Sequence, residues 1–189
     1  MKKLSLIIFA LLGSYTYSMS QTNNLSKPGG LEDIFTNARE RTLGLPVGTE
    51  FPDFEYIDLN GNKLEYSDLK EKLIVLNTWF VGCKGCKEEE ENLKKLTQEF
   101  KDRDDIVFLS FAMSSPQKIE RYFSKWGDFG YKTASVDKKW VNEKLKINSS
   151  PTHYIIKDGI LVEQITISLS HYLLADWYKN RILEFAPES

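Results

Sequence analysis

Cys83-Lys84-Gly85-Cys86 holds the residues of this 189-residue chain best suited to covalent chemistry. These are the only two cysteines. They stand where an apolar run, Leu73-Ile74-Val75-Leu76, gives way to a helical pattern. C-x-x-C alone is a moderate signal, and at a strand-to-helix junction it is a strong one. The junction places Cys83 at a helix N-terminus, where unpaired backbone N–H groups and the helix dipole favour a thiolate. Lys84 and Lys87 add positive charge. Cys86 lies one turn further in and is expected to be less accessible. Cys83 is thus the thiol that attacks a substrate disulfide, and Cys86 the one that resolves the mixed disulfide. Three other uses of the thiols compete: a purely structural bridge, half a zinc site, and a copper site completed by His153. The absence of a second cysteine pair and the presence of only two histidines weigh against zinc. The expectation is no metal and no cofactor beyond the redox-active Cys83–Cys86 pair.

The helix after Cys86 adds an acid. With about 100° per residue measured from Cys86, Leu93, Leu96 and Phe100 fall at roughly 340°, 280° and 320°. Glu89 falls at roughly 300°, inside that apolar stripe, and Glu88, Glu90 and Glu91 fall outside it. Of four consecutive glutamates, Glu89 is the one aimed at the core. A carboxylate desolvated there can exchange a proton with Cys86. On the outer face, Glu90 and Glu91 stand four residues before Lys94 and Lys95, the favourable order for helical ion pairs. Ser150-Pro151-Thr152 is the third element. Pro151 cannot join a central ladder, so it marks the start of a strand, and base rates alone favour a trans bond before it. His153 reads as a strand histidine facing a helix or solvent, with a proton-transfer or metal role as the alternative. Trp126, Trp140 and Trp177 sit at apolar helical positions and read as packing residues. Trp79, nearer the cysteines, is a candidate for lining the substrate surface.

The elements that position these residues follow from the hydrophobic pattern. Phe54, Tyr56 and Ile57 suggest a strand, Asn60-Gly61 a hairpin turn, and Lys63 to Tyr66 the return. Asp68 to Lys72 is a brief helical or turn piece. Leu73 to Leu76 is a strand buried on both faces. A helix follows from about Lys84 to Lys101, then a strand over Ile106 to Ala112. Ser114-Ser115-Pro116 opens a helix to about Trp126. A short strand over Tyr131 to Val136, a helix over Lys138 to Leu145, and a hairpin of Thr152 to Lys157 with Leu161 to Ile167 complete the middle of the chain. Ser170 is the expected cap of a last helix to about Phe185. Strands alternating with helices imply an α/β domain with a central, mostly parallel sheet covered on both faces, to which the late hairpin adds antiparallel strands.

Apolar residues make up 41% of the chain and charged residues 28%, a balance that supports a core without cross-links. The start reads as a secretion signal: Lys2 and Lys3, a short greasy run from Leu4 to Leu12, and Ser18 and Ser20 before Gln21. That run is too short to span a bilayer. Removing residues 1–20 leaves 23 basic against 27 acidic residues. This balance, with no basic arm, argues against a nucleic-acid partner. The expected organisation is a signal peptide over 1–20, an extension or linker over 21–45, and one domain over 46–187. The mature protein is expected to be an exported monomer without stable membrane insertion, in a compartment where disulfides persist.

Together these residues resemble the thioredoxin superfamily, and more closely the exported TlpA/ResA-like thiol-disulfide oxidoreductases, which are related to the AhpC/TSA proteins. The resemblance runs from about Leu45 to Pro187. It rests on Gly48-Thr49-Glu50-Phe51-Pro52-Asp53-Phe54, Asp58-Leu59-Asn60-Gly61, Val75-Leu76-Asn77-Thr78-Trp79-Phe80, the Cys83–Cys86 motif, and Ser150-Pro151-Thr152 followed by Asp158-Gly159. It implies a thioredoxin-like three-layer sandwich, with a central mixed sheet flanked by helices and an N-terminal hairpin extension. It also implies that Pro151 is cis and faces the cysteines, and that the Ser150 backbone pairs with substrate as an added strand. It puts an acid three positions after the second cysteine, where Glu89 stands. It implies reduction of protein disulfides with electrons from a membrane thiol donor, and substrates that are oxidised exported proteins, apocytochromes c among them. The chain departs from the family at Gly82, where Trp is frequent, at Gly85, where Pro is frequent, and at Glu91, near a usual proline. The Ser20-Gln21 junction resembles Bacteroidota cleavage sites and suggests a Gram-negative periplasm.

Cys83, Cys86, Glu89 and Pro151 are therefore the expected catalytic set, with Ser150, Trp79 and Thr152 on the substrate side. The rival functions are a copper-binding carrier and a peroxidase. No proline lies between Asp53 and Cys83, where a peroxidatic cysteine would need one.

Overall fold

The computed structural model describes residues 33–34 and 43–187. The chain divides into two units, residues 1–40 and 41–189. Of the first unit, Asp33 and Ile34 are described, and both are helical. The signal peptide over 1–20 and most of the extension over 21–45 lie outside the described residues.

The second unit is built on the apolar runs. β1 (Glu55–Ile57) and β2 (Lys63–Glu65) pair antiparallel across the Asn60-Gly61 turn. The Asp58 side chain organises that turn, accepting the Asn60 and Asn62 N–H groups at 2.8 Å each. α1 (Tyr66–Leu69) follows, starting before the expected Asp68 because the Tyr66 and Leu69 side chains turn into the core. β3 (Leu73–Trp79) is buried at every residue. α2 (Lys84–Glu99), β4 (Ile106–Ala112), α3 (Pro116–Trp126), β5 (Lys132–Ser135), α4 (Lys138–Lys144), β6 (Thr152–Lys157), β7 (Ile160–Ile165) and α5 (Tyr172–Phe185) complete the order. The cap of α5 is His171 rather than Ser170: its Nδ1 accepts the Leu173 N–H at 3.3 Å.

The main sheet runs β5-β4-β3-β6-β7. β3, β4 and β5 are parallel, while β6 and β7 are antiparallel to their neighbours. Its edges are occupied. Gly48 to Phe51 runs along β7, with the Leu161 N–H donating to the Thr49 carbonyl at 2.9 Å. Asp58 bridges to Ala134 on β5. Both contacts remove unpaired edge groups.

Alternation along β3 divides the side chains between two faces. Ile74 and Leu76 join Leu109, Phe111, Tyr154 and Ile156 in a cluster closed by Phe51, Phe54, Tyr56 and Tyr66 and by Val141 and Leu145 near α4. Val75, Asn77 and Trp79 point the other way. There Tyr122 and Phe123 of α3 pack on Trp79, and Tyr178 of α5 packs on His153 of β6. The result is the expected thioredoxin-like three-layer α/β sandwich with an N-terminal hairpin. Among the described residues no helix is long and apolar enough to cross a membrane.

Candidate active site

Chain geometry brings the cysteines to the mouth of α2. The turn out of β3 needs a left-handed residue, and Gly82 supplies it at φ +100°. This accounts for glycine where the resemblance has Trp. The Cys83 N–H then donates to the Phe80 carbonyl at 3.1 Å. Cys83 is the N-cap of α2, and its Sγ accepts the Cys86 N–H at 3.2 Å. A backbone donor aimed at the first sulfur is the local arrangement that stabilises a thiolate there. The two cysteines form a disulfide with their Cα atoms 5.3 Å apart.

The segment before β6 faces this pair. The Ser150–Pro151 bond is cis, as the resemblance implied and base rates opposed. The Ser150 carbonyl oxygen lies 3.6 Å from Cys83 Sγ. A Cβ on Gly85 would stand 3.3 Å from Pro151 Cδ and 3.5 Å from Ser168 Cβ. Gly85 therefore lets Pro151 sit against the first turn of α2.

Cys83 is 7% exposed and Cys86 6%, so the expected difference in access is absent from the disulfide form. The physical reason is the bond itself, which holds the two sulfurs together at the helix mouth, with the Ser150 carbonyl beside Cys83. The thiols differ instead in their partners, since Cys83 has the Cys86 N–H and the Ser150 carbonyl beside it.

One turn below Cys86, Glu89 is fully buried. Its Oε2 accepts the Leu169 N–H at 2.8 Å and lies 3.1 Å from His153 Nε2. Its Oε1 is 3.5 Å from Asn77 Nδ2. The helical stripe thus located a carboxylate in the core, but it did not reveal its partner. His153 pairs across β3 with Asn77, and this register turns its ring to Glu89 rather than to solvent. Tyr131 and Tyr178 complete the surroundings. Burial pushes both phenols well up, and the Glu89 charge adds to this.

Glu90 is also buried, at 4% exposure, against the expectation that Glu89 alone turned inward. Lys87 Nζ lies 2.6 Å from its carboxylate, and the Tyr122 hydroxyl donates to it. Lys94 reaches Glu91 at 3.5 Å instead of Glu90. The reason is α3, which packs close enough to enclose Glu90 and supply the phenol. Burial, then the Glu90 carboxylate, push the Tyr122 phenol up. Lys87 also lies 4.2 Å from the centre of the Trp126 ring, so its charge is engaged away from the cysteines.

Two residues expected on the substrate side are inside the core. Trp79 is 2% exposed, held by Phe123 and Phe129, and its Nε1–H donates to Ser110 Oγ at 3.2 Å. It ends β3 on the face that α3 covers. Thr152 is fully buried, its Oγ1 donating to the Ser149 carbonyl at 3.0 Å. Next to Trp79, Phe80 is 41% exposed and its carbonyl accepts the Cys83 N–H, so it, not Trp79, is the exposed aromatic residue of the turn into the cysteine motif. Among the described residues no group of three or more His, Cys, Asp and Glu side chains is placed to hold a metal ion.

A C-x-x-C disulfide at a helix mouth, opposed by a cis-proline on a thioredoxin-like sheet, defines a thiol–disulfide oxidoreductase. The AhpC/TSA family profile matches residues 47–165, and the chain belongs to that family, in the TlpA/ResA-like part of the thioredoxin superfamily. It is 28% identical over 136 residues to the thioredoxin-like protein YneN of Bacillus subtilis, covering 71% of this chain and 79% of that one. It is 29% identical over 122 residues to the thiol-disulfide oxidoreductase ResA of Bacillus thuringiensis, covering 64% and 70%. The fold matches the thioredoxin domain of a thiol-disulfide oxidoreductase from Bacteroides vulgatus with a TM-score of 0.62 and 23% identity, covering 76% and 99%.

Proposed function

We propose that the protein reduces disulfides of exported proteins through the Cys83/Cys86 dithiol. The observation that carries this is the Cys83 sulfur, which accepts the Cys86 N–H and stands 3.6 Å from the Ser150 carbonyl beside cis-Pro151. Reduced Cys83 attacks a substrate disulfide as the thiolate, and one substrate sulfur leaves. Cys86 then attacks Cys83, releases the second substrate sulfur and closes the bridge. Ser150 lies just outside β6, so its carbonyl is available to a substrate backbone that adds as a short strand. Phe80 offers that segment an apolar surface. Glu89 takes the Cys86 proton during resolution. No residue of this scheme needs a cofactor other than the cysteine pair.

The signal-like residues 1–20 support export to a periplasm or comparable compartment, where a membrane thiol donor would return the bridge to the dithiol. The names of the ResA and YneN relatives support thiol–disulfide chemistry on protein substrates. We place the protein there as a monomer.

Insulin reduction tests the scheme. Cys83→Ser is expected to abolish it, and Cys86→Ser to accumulate a mixed disulfide on Cys83 visible by mass spectrometry. Full turnover by Cys83→Ser would overturn this function. The reduction potential of the pair separates directions: about −270 mV suits a reductant and about −120 mV an oxidant.

A further inference from the structure

We infer that His153 is a positioning residue for the proton that leaves Cys86, which it holds jointly with Glu89. This deepens the proposed dithiol function and rests on it. Both side chains are fully buried, and His153 Nε2 stands 3.1 Å from Glu89 Oε2. His153 Nδ1 has no hydrogen-bond partner among the described residues. The ring therefore has no second anchor to choose its tautomer, and the state of Glu89 decides where the ring carries its proton. Glu89 is oriented from three sides. The Leu169 N–H and the imidazole meet Oε2, and Asn77 Nδ2 stands at Oε1. On α2, Glu89 and Cys86 are three residues apart, which places them on one face about 5–6 Å apart at Cβ.

The other titratable groups around the pair leave the proton to it. Tyr131 and Tyr178 face it from the segment before β5 and from α5, and burial keeps both phenols neutral. Glu163 on β7, which acts on Tyr178, is held by Arg181 Nε at 2.9 Å. Cys86 stands one helical turn away on α2, and it is the thiol that gives up a proton when it resolves the mixed disulfide.

The step balances as follows. In the mixed disulfide, Cys86 gives its thiol proton to the Glu89–His153 pair. The Cys86 thiolate attacks Cys83 Sγ, the Cys83–Cys86 bond forms, and the bond from Cys83 to the substrate sulfur breaks. The substrate leaves as a thiolate and takes a proton, returning the pair to its starting state. The two cysteines lose two electrons and the substrate disulfide gains them. An isolated buried carboxylate would have to hold the transferred proton alone. Beside an imidazole 3.1 Å away, the proton can be shared between the carboxylate and the ring.

Two measurements test this. Ring nitrogen NMR of His153 is recorded in the disulfide and dithiol forms from about pH 5 to 9, the range in which histidine changes charge. Exposed His171, the other histidine of the chain, serves as the internal reference. His153 is expected to change tautomer or protonation between the two redox forms, and the His171 ring signals to coincide in both. A His153 ring form that is the same in both would overturn the inference. The second measurement is thiol release from a preformed mixed disulfide on Cys83. His153→Gln keeps an N–H donor toward Glu89 but cannot take a second proton. It is expected to slow release about tenfold, below the 10²–10⁴-fold of a direct acid–base group, and to lose one apparent ionisation from the pH profile. A His153→Gln profile superimposable on wild type would overturn the inference while wild-type insulin reduction left the dithiol function standing. A wild-type protein that reduced no disulfide would remove both. Should His153→Gln fail to fold, the wild-type NMR comparison decides alone.

Discussion

Ser168 Oγ–H donates to the Gly85 carbonyl at 2.8 Å, tying the loop after β7 to the first turn of α2 inside the C-x-x-C motif. The same loop sends the Leu169 N–H to Glu89. One short segment therefore holds both the helix mouth and the buried acid in place. Ser168→Ala removes one partly buried hydrogen bond and should cost about 0.5–1.5 kcal/mol in urea unfolding.

Trp79 and Phe80 should separate stability from substrate capture. Trp79→Ala empties a buried site and should destabilise by about 3–5 kcal/mol. Activity per folded molecule should change little. Phe80→Ala removes a partly exposed ring and should cost under about 1 kcal/mol, while raising KM for a protein disulfide more than it lowers kcat. Paired denaturation and insulin-reduction assays check both.

Glu90 serves Lys87 and Tyr122 from a buried position. Removing it leaves two polar groups without their partner, so Glu90→Ala should cost about 1–3 kcal/mol. Tyr122→Phe removes one partner and should cost less. The double variant should lose less than the sum of the two, because the residues touch. A double-mutant cycle by chemical denaturation measures that coupling.

Alkaline pH should unfold the protein through its buried phenols. Burial, aided by Asp53 and Glu50, pushes Tyr66 up to about 12. The unfolded chain releases that proton near pH 10, so between about pH 10 and 12 rising pH favours unfolding. The stabilisation is full below the unfolded value and is lost as pH climbs through the folded one. Tyr66→Phe should lose about 2 kcal/mol less than wild type over that window, seen in unfolding curves at stepped pH.

Much of this was legible in one dimension because it is local. The run Leu73 to Leu76, the bounds of β4 and α3, and the Asn60-Gly61 hairpin follow from periodicity and turn chemistry, which neighbouring residues decide. The C-x-x-C at a strand-to-helix junction, and the inward turn of Glu89, follow from the same local geometry. The cis bond before Pro151 was legible only as a resemblance, since composition favours trans.

Tertiary structure decided which side chains meet across the sheet. Strand register set Asn77 opposite His153, and that pairing turned the ring onto Glu89. The packing of α3 put Trp79 into the core, enclosed Glu90 and left Phe80 at the surface. A sequence states which residues can be apolar, acidic or reactive. Contacts between residues far apart in the chain, such as Glu89 with His153, depend on how strands align and helices dock, and the energy of those choices is spread over the whole core.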